Sequence, residues 1–274
     1  MSARVVGVIP ARWGSTRFPG KSLAMVGGKP LLAWVVERTK QARRLAEILV
    51  ATDDERIAAA ARALDVRVAM TRADHPSGTD RIAEAIRELD APHVINIQGD
   101  EPLIDPALID RIAATLADNS RWDMATAAAP VHSAKELHNP DVVKVVRDAA
   151  GRALYFSRAV IPFVRGAAPD FAPVPGQHWR HIGIYGYQRA FLERLVREPP
   201  GALENLEKLE QLRALAIGCR MAVLETDHVG IGVDSPADVP QAEALLRQAG
   251  LPGNAVRLPA RPRAKRVHDI KVGY

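Results

Sequence analysis

The chain of 274 residues has a single cysteine, few aromatic residues and no long apolar run. Cys219 has no partner for an internal disulfide, which fits a reducing cytosol, and one thiol argues against a zinc site built from several cysteines. An aromatic content of 5% argues against a surface that stacks nucleic-acid bases. The apolar runs fall short of the about 18 residues that a membrane span needs. We therefore expect a cytoplasmic protein with no membrane span and no nucleic-acid partner.

The formal net charge of +5 is concentrated at the C-terminal end of the sequence. Residues 251–274 hold six basic side chains against Asp269 alone, so residues 1–250 are neutral. Because the last residues combine this charge with three prolines and little apolar periodicity, we expect a basic, poorly ordered tail. The remaining 1–250 are long enough for a single α/β domain.

Short apolar runs alternate with helical patterns in the first part of the chain. The predicted strands are 5–9, 48–51, 66–70 and 94–97. The predicted helices are 31–41, a helix capped by Asp53 or Asp54 and ending at Leu64, 79–89 with Ser77 or Thr79 as the cap, and 106–117. This alternation predicts a mainly parallel sheet that carries helices on both faces.

The pattern becomes richer in strands after about residue 122. Strands are predicted at 125–129, 142–147, 153–157 and 181–187, which indicates a strand-rich insertion over about 122–190. Helices 191–196 and 204–216, a strand at 221–224 and a last helix at about 236–248, capped by Asp234 or Ser235, complete the domain. Prolines and glycines in 165–177 predict a mobile loop.

The loop that follows the first strand has the composition of a polyphosphate site. Residues 10–21 contain Arg12, Arg17 and Lys21 together with two glycines and two hydroxyls. Arginine forks, a lysine charge and close backbone approach at glycine all suit phosphate oxygens. A solvated basic turn is the simpler alternative. The position at a strand end, where open α/β sheets bind ligands, favours the phosphate site.

The end of this loop also resembles a Walker A motif, which would indicate a P-loop phosphotransferase. Gly20-Lys21-Ser22 matches the last part of that motif. Five residues separate Gly14 from Gly20 where the motif has four, and Pro19 directly precedes the second glycine. Both departures make the P-loop the weaker alternative.

Carboxylates suited to a magnesium ion occur at two places. Asp100 follows the predicted strand 94–97, at the same sheet edge as the first loop, and Gly99 beside it suggests room for a ligand. Asp234 precedes a helix and can equally be its N-cap, so its role stays open at this point. Residues 71–81, rich in hydroxyls, suit hydrogen bonding to a base or sugar, although Ser77 and Thr79 are also ordinary helix caps.

Several motifs together resemble one enzyme family. They are Pro-Ala-Arg-x-x-Ser-Thr-Arg-x-Pro-Gly-Lys, Ser-Gly-Thr-Asp-Arg, Gln-Gly-Asp-Glu-Pro, Phe-Ser-Arg, His-Ile-Gly-Ile-Tyr, Leu-Glu-Gln-Leu-Arg and Gly-Val-Asp-Ser-Pro-Ala-Asp. In this order, over about 4–248, they are similar to the 3-deoxy-manno-octulosonate (KDO) cytidylyltransferases, the CMP-KDO synthetases. Two departures are the tail and Trp13-Gly14, where Tyr-Ala is frequent in that family.

The resemblance implies a Rossmann-like nucleotide-diphospho-sugar transferase fold, homodimers formed through the insertion, and transfer of CMP from CTP to KDO for lipopolysaccharide biosynthesis. It implies that Mg²⁺ is bound by Asp100 and Asp234. The residues that it implies for the CTP triphosphate are Arg12, Ser15, Arg17 and Lys21, and those near the nucleotide are Ser77, Gly78, Thr79 and Gln98. Of these residues, Arg12, Lys21 and Asp100 are expected to be catalytic.

The resemblance also implies that five residues of the second half surround the sugar. They are Arg158, His181, Tyr185, Glu210 and Gln211. Without it, His181 is an ordinary hydrogen-bonding residue of a strand, and Glu210 and Gln211 belong to a solvated helix face. Three alternatives stay open: the same reaction on a sialic acid or an amino-KDO, a P-loop phosphotransferase, and a nucleotide-binding regulator without catalysis.

Overall fold

The computed structural model describes residues 4–168, 170–228 and 230–251. Within them the strands are β1 (Val5–Ala11), β2 (Met25–Val26), β3 (Lys29–Pro30), β4 (Glu47–Thr52), β5 (Arg67–Met70), β6 (His93–Asn96), β7 (Met124–Pro130), β8 (Lys144–Arg147), β9 (Ala153–Ser157), β10 (Trp179–Gln188) and β11 (Met221–Glu225). The predicted basic tail, 251–274, lies outside the described residues apart from Leu251.

The helices of the same residues are α1 (Leu31–Thr39), α2 (Glu55–Ala63), α3 (Gly78–Ala85), α4 (Pro106–Ala117), α5 (Ala134–His138), α6 (Arg189–Leu195), α7 (Ala202–Glu207), α8 (Gln211–Ala216) and α9 (Val239–Gln248). Short 3-10 turns occur at Lys21–Leu23 and Pro236–Asp238. None of the helices described is long and apolar enough to cross a membrane.

One mixed sheet organises these elements, in the order β11-β7-β10-β6-β1-β4-β5, with β8 paired to β10 and β9 paired to β8. Strand β1 is parallel to both β4 and β6, and β4 is parallel to β5. Strand β10 is antiparallel to both β6 and β7. The predicted α/β fold with a mainly parallel central sheet is confirmed. Within this sheet the antiparallel strands β8, β9 and β10 come from the second half of the chain, and β2 and β3 form a separate antiparallel pair.

Helices cover both faces of the sheet because the central strands are apolar on both sides. In β1, Val5, Ile9 and Ala11 belong to the core cluster that contains α1, α2 and α4 residues. Val6 and Val8 point the other way, into the cluster that α3, α6 and α8 complete. This alternation is the period of two of a strand, and the burial of both faces is typical of parallel sheets.

The predicted continuous helix over 204–216 is wrong. The chain forms α7 and α8, separated by Lys208 in the left-handed conformation with φ 55°. The segment has no proline or glycine that would signal the break. The structure supplies a cause from elsewhere in the chain, because Glu207 at the end of α7 binds Ser157 and Arg158 at the end of β9.

The structure differs from the sequence prediction at several other helices and strands. The hairpin of β2 and β3 and the helix α5 have no counterpart in the sequence prediction. The predicted last helix begins as the 3-10 turn Pro236–Asp238, and Ser235 caps it through a capping box with Asp238. Asp234 is therefore not the cap. The described residues of 165–177 form no helix or strand, and their mobility stays a prediction.

Two strand ends meet closely at Gly99. A Cβ atom at this position would lie 2.8 Å from the carbonyl oxygen of Pro10. The absence of a side chain at Gly99 therefore lets the end of β1 pack closely against the segment after β6. Gly99 also lines the cavity described below, and the close approach of a ligand at this residue stays a prediction. A backbone oxygen cannot turn away as a flexible side chain can, so a larger residue must push the two segments apart.

We predict that Gly99→Ala lowers the free energy of unfolding by about 1–3 kcal/mol, the usual cost of overpacking a tight site. Urea denaturation followed by circular dichroism measures it. Gly183→Ala is the matched control, because its nearest neighbour would be Gln98 Cγ at 4.0 Å, which is ordinary contact. Equal stability of the two variants would show that the contact with Pro10 is not tight.

Candidate active site

The loops after β1 and β6 form one wall each of a cavity of about 220 Å³. Because β1 and β6 are parallel neighbours, their carboxyl ends reach the same sheet edge. The cavity is lined by Pro10, Ala11, Arg12, Lys21, Ser22, His75, Pro76, Ser77, Gly78, Arg81, Gln98, Gly99 and Asp100. The structure thus brings together six of the predicted residues: Arg12, Lys21, Ser77, Gly78, Gln98 and Asp100.

Lys21 is the centre of a charged cluster at this cavity. Its Nζ lies 2.5 Å from Asp100 Oδ2 and 3.1 Å from Asp234 Oδ1. Arg17 reaches the second carboxylate, with Nη2 3.0 Å from Asp234 Oδ2. Two cations from the first loop thereby meet carboxylates that are 79 and 213 residues from Lys21 in the sequence.

Burial and charge act against each other in this cluster. Burial raises the pKa of Asp100, and the neighbouring ammonium of Lys21 opposes that rise. Burial also disfavours the charge of Lys21, but Asp100 and Asp234 outweigh it, so the pKa of Lys21 is raised. The opposite charges therefore stabilise one another in a partly desolvated position. A bound triphosphate would give the cations of this cluster further anionic partners.

The donor set of the cluster fits a magnesium ion. The carboxylates of Asp100 and Asp234 both accept hydrogen bonds from the Lys21 ammonium. Mg²⁺ prefers one or two carboxylates completed by phosphate oxygens and water. Among the residues described, no group of three or more His, Cys, Asp or Glu side chains could hold a metal. Asp100 and Asp234 would supply the two carboxylates of such an ion, and its binding stays a prediction.

The P-loop alternative does not agree with the local fold. A Walker A lysine opens a long helix directly after the loop. Here Lys21 begins a 3-10 turn of three residues, and the chain then enters β2. Gly20 has φ 70° and packs against Trp13, whose ring carries the guanidinium of Arg56 at 3.2 Å from its centroid. The loop is shaped by this stack instead of by a helix N-terminus.

Three of the predicted nucleotide residues, Ser15, Arg17 and Thr79, are not part of the lining of this cavity, and Thr79 lines the second cavity described below. Arg17 is exposed and bound to Asp234. Ser15 is half-buried, and its backbone N–H donates to the Trp13 carbonyl at 2.9 Å. Their roles stay predictions.

Ser77 is both a helix cap and a lining residue of the first cavity. It is the N-cap of α3, with its hydroxyl accepting from the Asp80 backbone N–H at 3.2 Å. The same residue lines the cavity, next to Gly78 at the first turn of the helix. The N-terminus of α3 therefore points its first backbone groups at this cavity, a place that favours anions.

A second cavity of about 120 Å³ adjoins the first and shares Gly78 and Gln98 with it. Its remaining lining residues are Thr79, Asn96, Met124, Tyr185, Tyr187, Leu195, Glu210 and Gln211. Three of the residues predicted for the sugar, Tyr185, Glu210 and Gln211, are among them. The break between α7 and α8 places Glu210 and Gln211 here, at the first residues of the second helix.

The polar groups of this second cavity are largely desolvated. Burial raises the pKa of Glu210, while a hydrogen bond with Thr79 and the charge of Arg213 oppose that rise. Burial likewise raises the pKa of both Tyr185 and Tyr187, so both phenols keep their protons near neutral pH. The cavity therefore offers hydroxyl and carboxyl groups that form directional hydrogen bonds with a polyhydroxylated ligand.

His181 lies behind this lining. Its ring centroid is 5.3 Å from that of Tyr185 and 5.0 Å from that of Phe156. Burial lowers the pKa of His181 to about 3, so the imidazole is neutral at physiological pH. Its Nε2 lies 2.9 Å from Thr126 Oγ1. A neutral His181 can act as a hydrogen-bonding group but is too weak a base to take up a proton.

Arg158 is held away from both cavities. Its Nε donates to the Glu207 carbonyl at 2.7 Å, and its Nη1 to the Pro140 carbonyl at 3.0 Å. Its own carbonyl accepts from the fully buried ammonium of Lys144 at 2.7 Å. Arg158 lines neither cavity, and its contact with a sugar stays a prediction.

Sequence reasoning missed several lining residues, of which Arg81 is the most informative. Arg81 is 2% exposed, donates to Thr71 Oγ1 and lies 3.6 Å from Asp53. A buried charge on an amphipathic helix is the signal that could have found it. Asn96 and Tyr187 face the cavity from ordinary strand positions, where no local signal marks them.

Comparison with known proteins agrees with this geometry. The family model described as "Cytidylyltransferase" matches residues 6–223. A 3-deoxy-manno-octulosonate cytidylyltransferase of Geobacter sulfurreducens is 49% identical over 248 residues, which cover 89% of this chain and 99% of that protein. The enzyme of the same name from Bdellovibrio bacteriovorus is 47% identical over 90% of this chain and 100% of its own length.

Solved structures extend the comparison to the fold. A CMP:2-keto-3-deoxy-manno-octonic acid synthetase complexed with CTP has a TM-score of 0.84 and 40% identity, covering 90% of this chain and 100% of that one. A 4-diphosphocytidyl-2C-methyl-D-erythritol synthase from Anaerococcus prevotii, 14% identical with a TM-score of 0.60 over 90% of this chain and 100% of its own, shares the fold alone. The chain belongs to the 3-deoxy-manno-octulosonate cytidylyltransferase family.

Proposed function

We propose that the protein transfers CMP from CTP to the anomeric hydroxyl of KDO and releases pyrophosphate. The observation that carries this proposal is the junction of two cavities at Gly78 and Gln98. One cavity has the charged groups that suit a triphosphate, and the other has the hydroxyl and carboxyl groups that suit a sugar. Membership of the family supports the choice of CTP and KDO.

The reaction needs charge neutralisation and alignment more than covalent catalysis. In our proposal the sugar hydroxyl loses its proton to water and attacks the α-phosphorus. The bond between the α-phosphorus and the oxygen bridging to the β-phosphorus breaks, and pyrophosphate leaves from the opposite side. Arg12 and Lys21 would hold the triphosphate and offset the negative charge that develops on the leaving group. Ser77, Gly78, Thr79 and Gln98 would orient the nucleotide, since they surround the junction.

We further propose that Asp100 and Asp234 hold Mg²⁺ when the nucleotide is bound. When bound, the ion would neutralise charge on the phosphate oxygens and lower the pKa of a coordinated hydroxyl. Lys21, which bridges the two carboxylates, would then turn its ammonium to the phosphates. Arg17 would remain the second cation close to Asp234.

For the sugar, we propose that Tyr185, Glu210 and Gln211 bind hydroxyl groups. Glu210 is fixed from two sides, by Ser77 Oγ at 3.4 Å and by Arg213 Nη2 at 3.5 Å. We keep Arg158 and His181 in the proposed sugar site, Arg158 on the condition that its present contacts rearrange. The proposal includes a cytoplasmic location and a supply of CMP-KDO for lipopolysaccharide biosynthesis.

We also propose a homodimer formed through the strand-rich insertion. Two large apolar side chains of this region are exposed, Phe163 at 80% and Leu154 at 51%. Leu154 lies on β9, whose only partner strand among the residues described is β8. An apolar strand edge of this kind is a natural surface for a second copy.

The first prediction concerns turnover. Purified protein with CTP and Mg²⁺ should release pyrophosphate when KDO is added, in a coupled phosphate assay. A sialic acid and an amino-KDO, assayed beside KDO, identify the sugar. Folded protein that releases no pyrophosphate with KDO would refute the assignment, and transfer of the γ-phosphate would restore the phosphotransferase alternative.

The second prediction concerns Asp100. Asp100→Asn should lower kcat on the order of 10²-fold or more, the scale of one lost electrostatic group in a transition state. The fold should persist, because the amide has the same shape. Asp118→Asn is the matched control, since Asp118 forms an exposed ion pair with Arg44 at 3.5 Å. Near-normal turnover of the Asp100 variant would remove this residue from the proposed metal site.

The third prediction concerns assembly. Light scattering after size exclusion should give twice the chain mass for the wild-type protein at micromolar concentration. The double substitution Leu154→Ser and Phe163→Ser should give the monomer mass, because it removes apolar surface from the proposed interface. Met70→Ser, at the opposite sheet edge β5, is the control and should stay dimeric. A monomeric wild-type protein would contradict the proposal.

A further inference from the structure

Strand β10 is irregular where it passes the sugar cavity. Its pairing with β7 is regular at Ile182 and Ala127 and again at Gly186 and Ala125. Between these pairs β10 has three residues, whereas β7 has only Thr126. Bulges of this kind bend a strand and redirect its side chains, and they are frequent next to active sites. This one includes Tyr185, which lines the cavity.

Thr126 fills the gap that the bulge opens. The residue is 0% exposed, and its Oγ1 lies 2.8 Å from the Ile184 carbonyl oxygen and 3.2 Å from the Ile182 carbonyl oxygen. The third neighbour of the hydroxyl is His181 Nε2, at 2.9 Å. One hydroxyl group therefore joins both carbonyls of the bulge to the imidazole.

The hydrogen-bond donors and acceptors around Thr126 Oγ1 determine which ring nitrogen of His181 carries a proton. Carbonyl oxygens only accept, so the single hydroxyl proton must be donated to the bulge. The Thr126 oxygen then acts as the acceptor towards His181, and Nε2 must carry a proton. Because the buried imidazole is neutral at physiological pH, Nδ1 is left without a proton. No described residue donates to Nδ1.

We propose that Thr126 is a positioning residue for the sugar half of the site. By fixing His181 as the Nε2–H tautomer, it presents Nδ1 as an acceptor for a hydroxyl group of the acid sugar. The bulge carbonyls hold Thr126, Thr126 holds the ring of His181, and Tyr185 packs against that ring. This inference rests on the proposed function, since it assigns the ligand of Nδ1 to the sugar.

The tautomer itself is tested by nitrogen NMR of the full-length wild-type protein labelled with ¹⁵N-histidine, with His181→Gln used to assign the signals. We expect His181 to show a protonated Nε2 and an unprotonated Nδ1 at neutral pH. A protonated Nδ1 would overturn the proposal without any need for a Thr126 variant. This measurement does not depend on which sugar the enzyme accepts.

The role in sugar binding is tested with Thr126→Val and Thr126→Ser. The valine keeps the shape of the side chain and removes the hydroxyl, whereas the serine keeps the hydroxyl. For Thr126→Val we expect the KM for KDO to rise about tenfold, the scale of one hydrogen bond, with the KM for CTP unchanged. Thr126→Ser should restore the wild-type KM for KDO.

Thr39→Val is the matched control. Thr39 is also 0% exposed, and its Oγ1 donates to the Val35 carbonyl at 2.7 Å, but it lies in α1 and lines neither cavity. It should lose a comparable amount of thermal stability and keep both KM values. The comparison therefore separates the loss of a buried hydrogen bond from the loss of sugar binding.

The outcomes distinguish this inference from the proposed function. If the wild-type protein does not turn over KDO or another acid sugar, the proposed function fails and this inference fails with it. If the wild-type protein is active but Thr126→Val leaves the KM for the sugar unchanged, or raises both KM values together, Thr126 has only a structural role and this inference alone is overturned.

Discussion

The parallel pairing of β1 with β6 is the constraint on which the site depends. It brings the end of β1 and the segment after β6 to one sheet edge, where the Pro10 carbonyl packs against Gly99. Only with the segments this close can Lys21 reach Asp100 at 2.5 Å. The opposite charges then offset the cost of removing one another from water. The stability of this charged cluster therefore depends on the packing of uncharged backbone at Pro10 and Gly99.

The second cavity, the proposed sugar side of the site, is built from departures from regular structure. A helix break at Lys208 lets Glu210 and Gln211 begin a new helix at the cavity. A bulge in β10 brings Tyr185 to the opposite wall, and Thr126 fills the space behind it. In regular helices and strands these side chains would follow the period of the element. The helix break and the bulge instead let them converge on one cavity.

The sequence predicted those features that are set by neighbouring residues. The apolar run of β1, the helix Pro106–Ala117 and the cap at Ser77 follow from local patterns, and the structure has all three. The helix break and the position of Arg158 could not be predicted in this way. Both depend on Glu207, which joins segments about 50 residues apart through hydrogen bonds. Such long-range bonds produce no periodic pattern in the sequence.

The bridge from Lys21 to Asp234 spans 213 positions of the chain. Glu243 of the last helix adds a second long link by accepting from the Gly27 backbone N–H at 2.8 Å. During synthesis the first loop leaves the ribosome early, but one of its carboxylate partners, Asp234, is made much later. A chain that stops before Asp234 contains the central strands but lacks the carboxylate that Lys21 and Arg17 share. Assembly of the charged cluster is thereby tied to synthesis of the last part of the domain.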